Sequence, residues 1–447
     1  MSKARARALV MILAVLLIGA GCGDKKSNNA AGGASQSAST TQKIDYTALG
    51  LWDDGPCDAS KPKLVIGLMT TFESPVISLK DQADALKVAG DAFNQRGGAN
   101  GSCIDVHTCD DGANLDQALS CVRTIDQAGV VVTVNDQGTA GQADVSKAMQ
   151  SAKIPRMAGN VTQDDWGDAN SYPMDASGTG VTFLQPDALQ EEGSSKVGVI
   201  RVDLAAASAL LGFLKSVYSK LDFVSDTPVP GGTTDFGQFI VGAQNAGADS
   251  GSLSLGEQEA VQVVQAGQQL NTTLKIGASL GTFPRKTVAD LGDFGKQMVL
   301  LSSFPPATFD LPVYKALRDD FAKSGQQTLA PDNLKTSPMR SWIGLYALLE
   351  MIRNAKLTTF TRDSMTNLLQ QAKDVPMLGM YGNESWTPNL NHAGIFQRAG
   401  MNTWGIYTFD PSATTPDGQK GNFTLSKTIS FDKVLCGTPL GPPAPCS

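Results

Sequence analysis

From residue 63 onward, short apolar runs alternate with longer stretches in which apolar residues recur at helical spacing. LVIGLM (64–69), CIDVHTC (103–109) and VVVTV (130–134) predict strands, because each is short, apolar or alternating, and followed by turn-prone residues. The stretches after the first two predict amphipathic helices with core faces formed by Leu79, Leu86, Ala89 and Phe93, and by Leu115, Ala118, Leu119, Val122 and Ile125. Alternating strands and helices predict a parallel sheet covered on both faces.

A second block repeats this pattern between KVGVIRV (196–202) and QMVLLSS (297–303). Two helical stretches follow at 341–355 and 362–372, and the last two alternating segments predict an antiparallel pair of strands. We therefore predict an α/β fold with two Rossmann-like lobes, in which a ligand binds between the lobes at the carboxyl ends of the strands. GTGVTFLQ (178–185) and GGTTDFG (231–237) lack the lysine of a phosphate-binding loop and are predicted as ordinary loops.

The beginning of the chain has the pattern of an export signal. Lys3, Arg5 and Arg7 precede a run of about ten apolar residues, which is too short to cross a membrane, since a spanning helix needs roughly 20. Gly19, Ala20 and Gly21 come directly before Cys22, and this arrangement resembles the lipobox of bacterial lipoproteins. The resemblance implies a lipid on Cys22. The alternative is an ordinary signal peptide with a chance cysteine.

Composition narrows the class of protein further. The net charge of −7 becomes −10 once residues 1–21 are removed, which argues against nucleic-acid binding. His107 and His392 are the only histidines in the sequence, and neither lies in a recognisable catalytic or zinc motif, so we predict no enzyme activity, no metal and no cofactor. Residues 23–43 contain almost no large apolar side chain, which predicts a flexible tether.

The ordered segments LVIGLMTTFESP (64–75), AGDAFNQRGGANG…NDQGTAG (89–141) and KIPRMAGNVTQ (153–163) resemble type I periplasmic binding proteins. The most similar group is the branched-chain amino-acid, leucine-binding-protein-like substrate-binding proteins of ABC transporters. The resemblance is good over about residues 62–165 and weaker over 196–375. It implies a small-molecule ligand, an ABC permease as partner, and hinge closure of two lobes around the ligand.

The same resemblance implies which residues bind the ligand. Backbone N–H groups and hydroxyls of two first-lobe loops hold it in the family, and the matching positions are Gly138, Thr139, Asn160, Val161 and Thr162. Capping of helices is the alternative role for the two threonines. Thr71, after the first strand, is a further predicted contact.

The second lobe departs from the family pattern. Amino-acid binders place a tyrosine and a glutamate in the two loops that read SLGEQEA (254–260) and GASLGTF (277–283) here. Ser279 is the rough match for that glutamate, and Glu257 could supply the missing carboxylate from the neighbouring loop. This departure favours a different small polar ligand, so the expected ligand is a small polar compound, an amino acid or a related one.

Six cysteines remain after Cys22, which in an exported protein predicts disulfides. Cys103 and Cys109 occupy opposite ends of one predicted strand, about 20 Å apart, so they cannot pair. We predict the pairs Cys57–Cys103, Cys109–Cys121 and Cys436–Cys446.

These predictions define a lipid-anchored protein on the extracytoplasmic face of the cell membrane that delivers a solute to an ABC importer. The alternatives are a ligand-sensing binding module without a transport role, and an exported α/β enzyme. The predicted segments are a signal peptide at 1–21, a tether at 22–45, lobe 1 at 46–190, lobe 2 at 191–307, a return to lobe 1 at 308–400, and lobe 2 strands with a disulfide-closed tail at 401–447.

Overall fold

The structure is a computed structural model of the chain. It describes residues 44–74, 78–138, 141–159, 168–203, 207, 210–382, 385 and 398–438. No described helix has both the length and the apolar character needed to cross a membrane.

The first sheet is parallel, with strand order β2-β1-β3-β4-β5. Its strands are β1 (Leu64–Thr70), β2 (Ile104–Asp110), β3 (Val132–Val134), β4 (Arg156–Met157) and β5 (Ser171–Tyr172). The described helices of this half of the molecule are α1 (Lys80–Asn94), α2 (Leu115–Gln127), α3 (Gln142–Ser151), α9 (Pro312–Ser324), α10 (Thr336–Asn354) and α11 (Arg362–Gln370).

The core on one face of the first sheet combines residues from both ends of the chain. Trp52 stacks on Phe93 and on Tyr346, with ring centroids 5.6 and 6.0 Å apart, and Phe93 also contacts Trp342 at 5.1 Å. These aromatic side chains bury large areas, so α10 is held firmly against α1. The packing of the first half therefore depends on residues that follow most of the second sheet in sequence.

The second sheet has the order β12-β11-β10-β9-β8-β6-β7. Its pairs β10–β11 and β11–β12 are antiparallel, and its other pairs are parallel. Its strands are β6 (Lys196–Val202), β7 (Asp222–Val229), β8 (Ser250–Ser254), β9 (Lys275–Ser279), β10 (Met298–Ser302), β11 (Thr403–Thr414) and β12 (Lys420–Ser430). The described helices of this half are α4 (Ser177–Glu191), α5 (Leu210–Val217), α6 (Gly237–Asn245), α7 (Glu257–Gln269), α8 (Arg285–Ala289) and α12 (Phe431–Val434). The predicted fold class is confirmed.

Helix α4 corrects one prediction, because GTGVTFLQ (178–185) is helical and not a loop. Its glycines, hydroxyls and internal Pro186 all disfavour a helix locally. Burial outweighs this, since α4 presents a buried apolar face formed by Val181, Leu184, Ala188 and Leu189. Gly180 is needed for a packing reason, because a Cβ there would lie 2.6 Å from the Trp404 ring.

Three connections join the two sheets, after β5, after β10 and before β11. The first and third run side by side, since the Gly400 and Met401 amides donate to the Pro173 and Met174 carbonyls at 3.0 and 2.7 Å. The second is tied to the first by the Ser303 hydroxyl, which donates to Asp175. The domain boundaries given above stay predictions.

The structure contains two of the predicted disulfides. Cys57–Cys103 joins the segment before β1 to the start of β2, with Cα atoms 5.1 Å apart. Cys109–Cys121 joins β2 to α2 with Cα atoms 5.6 Å apart. Cys436 is disulfide-bonded, and its predicted partner Cys446 lies outside the described residues.

Candidate functional site

A cavity of about 490 Å³ lies between the two sheets. Its second-sheet wall consists of the carboxyl ends of four parallel strands, represented by Val202, Leu253, Ala278 and Leu301. This is where ligands bind in open α/β sheets, because strand ends and helix N-termini converge there. Four described helices, α1, α4, α7 and α10, begin at the cavity wall.

Residues of the first half close the opposite side. Ser78, Leu79 and Asp81 come from the start of α1, and Gln137 from the loop after β3. Lys335, Thr336, Ser337 and Arg340 come from the beginning of α10. The cavity therefore takes its walls from both sheets and their helices, so any closure of the two halves would change its volume.

An ion pair spans the rim of the cavity. Lys335 Nζ, at the N-cap of α10, lies 2.5 Å from Glu257 Oε1, the first residue of α7, and their side chains are 30% and 44% exposed. Asp81 interacts electrostatically with both of these residues. Burial and the nearby Glu257 raise the pKa of the Asp81 carboxyl group, while Lys335 opposes the rise. The rim thus carries two carboxylates and one ammonium group.

A second ion pair lies deeper. Arg340 Nη1 and Nη2 donate to the two Asp175 oxygens, each at 2.9 Å, and both side chains are almost fully buried. Asp175 also accepts from the Ser177 amide at 2.8 Å. This pair connects α10 to the first crossing and to the N-terminus of α4, so it fixes the cavity floor to the connections between the sheets.

The structure brings two of the predicted ligand residues to this cavity. Glu257 and Ser279 both line it, although the Glu257 carboxylate is already paired with Lys335 and Ser279 Oγ accepts from the Gly281 amide at 3.1 Å. Thr71 is not among the described lining residues; it is fully buried and its hydroxyl donates to Asp111 at 2.5 Å.

The structure describes only some residues of the two predicted first-lobe loops. Gly138 is not a lining residue, but its neighbour Gln137 is. The predicted contacts at Thr139, Asn160, Val161 and Thr162 fall outside the described residues, as does the lipidation site Cys22. Their roles stay predictions.

Several lining residues had no signal in the sequence. Asp81, Lys335, Arg340 and Trp404 lie on elements that were predicted only by their apolar periodicity, or not at all. A polar residue at the first turn of a helix suits capping as well as binding, so its position alone could not identify it. Among the described side chains, no group of three or more His, Cys, Asp or Glu residues could hold a metal ion.

Comparison with known proteins gives a consistent result. A sequence profile described as periplasmic binding protein matches residues 63–399. No curated protein sequence matches the chain. Among solved structures, a solute-binding protein of Rhodopseudomonas palustris HaA2 in complex with p-hydroxybenzoic acid superposes with a TM-score of 0.65 at 16% identity, over 83% of this chain and 98% of the other.

Two other structures are similar to the same extent. The fatty acid ABC transporter substrate-binding protein from Thermomonospora curvata has a TM-score of 0.64 at 16% identity, over 84% of this chain and 94% of the other. The leucine-, isoleucine-, valine-, threonine- and alanine-binding protein from Brucella ovis, in a closed conformation, has a TM-score of 0.65 at 14% identity, over 83% and 96%. With a profile match across three quarters of its length and this fold, the chain belongs to the type I periplasmic binding protein family.

Proposed function

We propose that this protein is an extracytoplasmic solute-binding lipoprotein that captures a small polar ligand in the cleft between its lobes and delivers it to an ABC importer. The observation that carries the proposal is the cavity of about 490 Å³ built from both halves of the molecule. A volume of this size suits a small organic molecule. Lipid attachment at Cys22, followed by a flexible tether, would keep the binding protein near its permease.

The rim charges bear on the ligand class. An α-amino group would need an unpaired carboxylate, and Glu257 is already paired with Lys335. A zwitterionic ligand would have to displace Lys335 or use Asp81, whose pKa is raised and which therefore holds a proton more readily than an ordinary aspartate. The similar structures differ in ligand: one is a complex with p-hydroxybenzoic acid, one is named for fatty acid transport, and one is named for binding leucine, isoleucine, valine, threonine and alanine. We propose a small polar ligand, either a compound related to amino acids that lacks the free ammonium group or an amino acid that displaces Lys335 from Glu257.

The proposal predicts ligand-dependent stabilisation of the folded protein. We would measure Tm for the purified full-length protein with amino acids, small amides, carboxylates, polyamines and sugars. A compound that binds only the folded state raises Tm with its concentration. If no compound raises Tm, and none binds by calorimetry, solute capture is refuted, and a binding module that responds to a partner protein becomes the better hypothesis.

Two substitutions test the site on the first lobe. Thr139→Ala and Thr162→Ala should each weaken binding of the compound identified above by about 1 kcal/mol, because each removes one hydroxyl hydrogen bond. Thr273→Ala is the matched control, since Thr273 is exposed and is not among the described lining residues. Affinity unchanged in both variants would place the ligand elsewhere.

A further inference from the structure

A short segment of the first half, residues 332–336, lies against the second half of the molecule. It runs from the connection after α9 into the first residue of α10, and its Leu334 is buried in the core of the first half. On either side of Leu334, Asp332 and Lys335 form ion pairs with residues of the second half. The segment is therefore anchored in one half and attached to the other by charged groups.

Asp332 forms the first attachment. Arg285 Nε donates to Asp332 Oδ1 at 2.5 Å, and the Lys286 amide donates to the Asp332 carbonyl at 3.0 Å. Arg285 Nη1 also donates to the Lys420 and Gly421 carbonyls of β12, at 2.7 and 3.2 Å. Because the second sheet holds this guanidinium in place, and its side chain is only 7% exposed, Arg285 offers Asp332 a fixed partner.

Lys335 forms the second attachment, through its ion pair with Glu257 at the first residue of α7. Glu257 follows β8, and β9 separates β8 from β10, at whose end the second connection leaves the sheet. With neighbouring strands about 4.8 Å apart, the ends of β8 and β10 are roughly 10 Å apart. The ion pair therefore lies to one side of this connection, where rotation of one half against the other separates its partners.

The two halves also touch next to these attachments. Gly281, in the loop after β9, lies so close to Thr336 that a Cβ added at Gly281 would overlap Thr336 Oγ1. The hydrogen bonds and ion pairs of residues 332–336 join groups of the chain itself, so none of them requires a bound ligand. They stabilise the arrangement in which the two cavity walls face each other, whether or not the cavity is filled.

We propose that residues 332–336 form an electrostatic strap that holds the two halves together beside the cavity in the ligand-free protein. Opening of the cleft is then opposed by attraction between Asp332 and Arg285 and between Lys335 and Glu257. Salt screens the exposed part of this attraction, so the strap should loosen as ionic strength rises. This role is independent of which compound fills the cavity.

Hydrogen exchange of the Lys286 amide measures separation of the strap directly, because its acceptor, the Asp332 carbonyl, belongs to the other half. The amide exchanges while that hydrogen bond is open, so its exchange rate scales with the population of the open state. Selective isotope labelling of lysine in the full-length protein resolves this amide by NMR. The Lys275 amide is the internal control, since its acceptor, the Asp249 carbonyl, lies in the same half as Lys275.

Lys335→Met removes the ammonium group of the strap. Exchange of the Lys286 amide should become about two- to fivefold faster, the factor expected for loss of one partly exposed ion pair, while exchange of the Lys275 amide stays the same. Raising the salt concentration from about 0.02 M to about 0.5 M should accelerate Lys286 exchange in the wild-type protein and have a smaller effect in the variant.

Lys296→Met is the matched control variant. Lys296 pairs with Asp293 at 2.7 Å inside the second half, so its loss should leave Lys286 exchange unchanged. The charge-reversed double variant Lys335→Glu with Glu257→Lys should restore slow exchange of the Lys286 amide, because opposite charges again face each other across the two halves.

An unchanged rate for the Lys286 amide in Lys335→Met would overturn the proposal. Equal acceleration of the Lys286 and Lys275 amides would also overturn it, since the effect would then be a general loss of stability. Unprotected exchange of the Lys286 amide in the wild-type protein would show that the segment is not held. Each of these results leaves solute capture standing, and a compound panel without any ligand would refute solute capture without changing the exchange rates.

Discussion

Asp175→Asn should destabilise the protein more than its small change in shape suggests. Asp175 is fully buried and receives the two Arg340 nitrogens, the Ser177 amide and the Ser303 hydroxyl. Asparagine keeps the volume and one acceptor oxygen but removes the charge. Arg340 would then be a buried guanidinium without a counter-ion.

Breaking a buried ion pair by changing one partner costs about 3–5 kcal/mol. Because asparagine still accepts one hydrogen bond, we expect the lower end, about 3 kcal/mol. Urea unfolding followed by tryptophan fluorescence measures this as a shift of the midpoint at constant slope. The matched control is Asp290→Asn, since Asp290 pairs with Lys286 at 2.8 Å but its side chain is 64% exposed, and such pairs contribute at most about 1 kcal/mol.

The double variant Asp175→Asn with Arg340→Met sharpens the test. If the loss comes from an uncompensated buried charge, removing that charge as well should recover part of it. A single variant no less stable than the Asp290→Asn control would refute the reasoning. A double variant that loses the sum of both single losses would instead assign the effect to packing or hydrogen bonds.

Two further predictions concern stability. Burial, together with repulsion from Glu191, raises the pKa of Asp187 to about 6, although Lys427 opposes the rise. The folded state therefore binds this proton more tightly than the unfolded chain does. The stability gained from this proton is complete below about pH 4 and is lost as the pH rises through about 6. Asp187→Asn should therefore raise the free energy of unfolding by about 2–3 kcal/mol at about pH 7.5 but not at about pH 4, and equal effects at both values would contradict the assignment. Replacing Cys57 and Cys103 by serine opens a disulfide between residues 46 apart in sequence and should cost about 4 kcal/mol in urea unfolding, whereas an unchanged midpoint would show that the unfolded chain is not restrained by this bond.

The sequence predicted the parts of the fold that apolar periodicity controls. β1, β2 and β6 were recognisable because their side chains are buried in short runs, and the pairing of Cys57 with Cys103 followed from the order of those strands. Helix α4 was missed because its local signals favour a loop, and only burial against the second sheet makes the helix favourable. Long-range packing of this kind leaves no local pattern.

The candidate site could be predicted only in part, because some of its residues come from elements that long-range packing brings together. Glu257 and Ser279 were predicted because the family resemblance places ligand contacts in the two loops that contain them, and both residues line the cavity. Lys335 and Trp404 enter that cleft from elements distant in sequence, and their positions depend on how the two sheets are joined.

The long interruption of the first core has a consequence for the order in which the protein can fold during synthesis. Phe93 packs on Trp342, and Trp52 packs on Tyr346; these partners are translated roughly 250 to 290 residues later. Until α9 and α10 are available, α1 packs mainly against the strands of its own sheet, and the first core stays incomplete while the second sheet, apart from β11 and β12, is already present in the chain. Because its first core is completed late in synthesis, the nascent chain is slow to become compact, which suits passage through a secretion channel before folding.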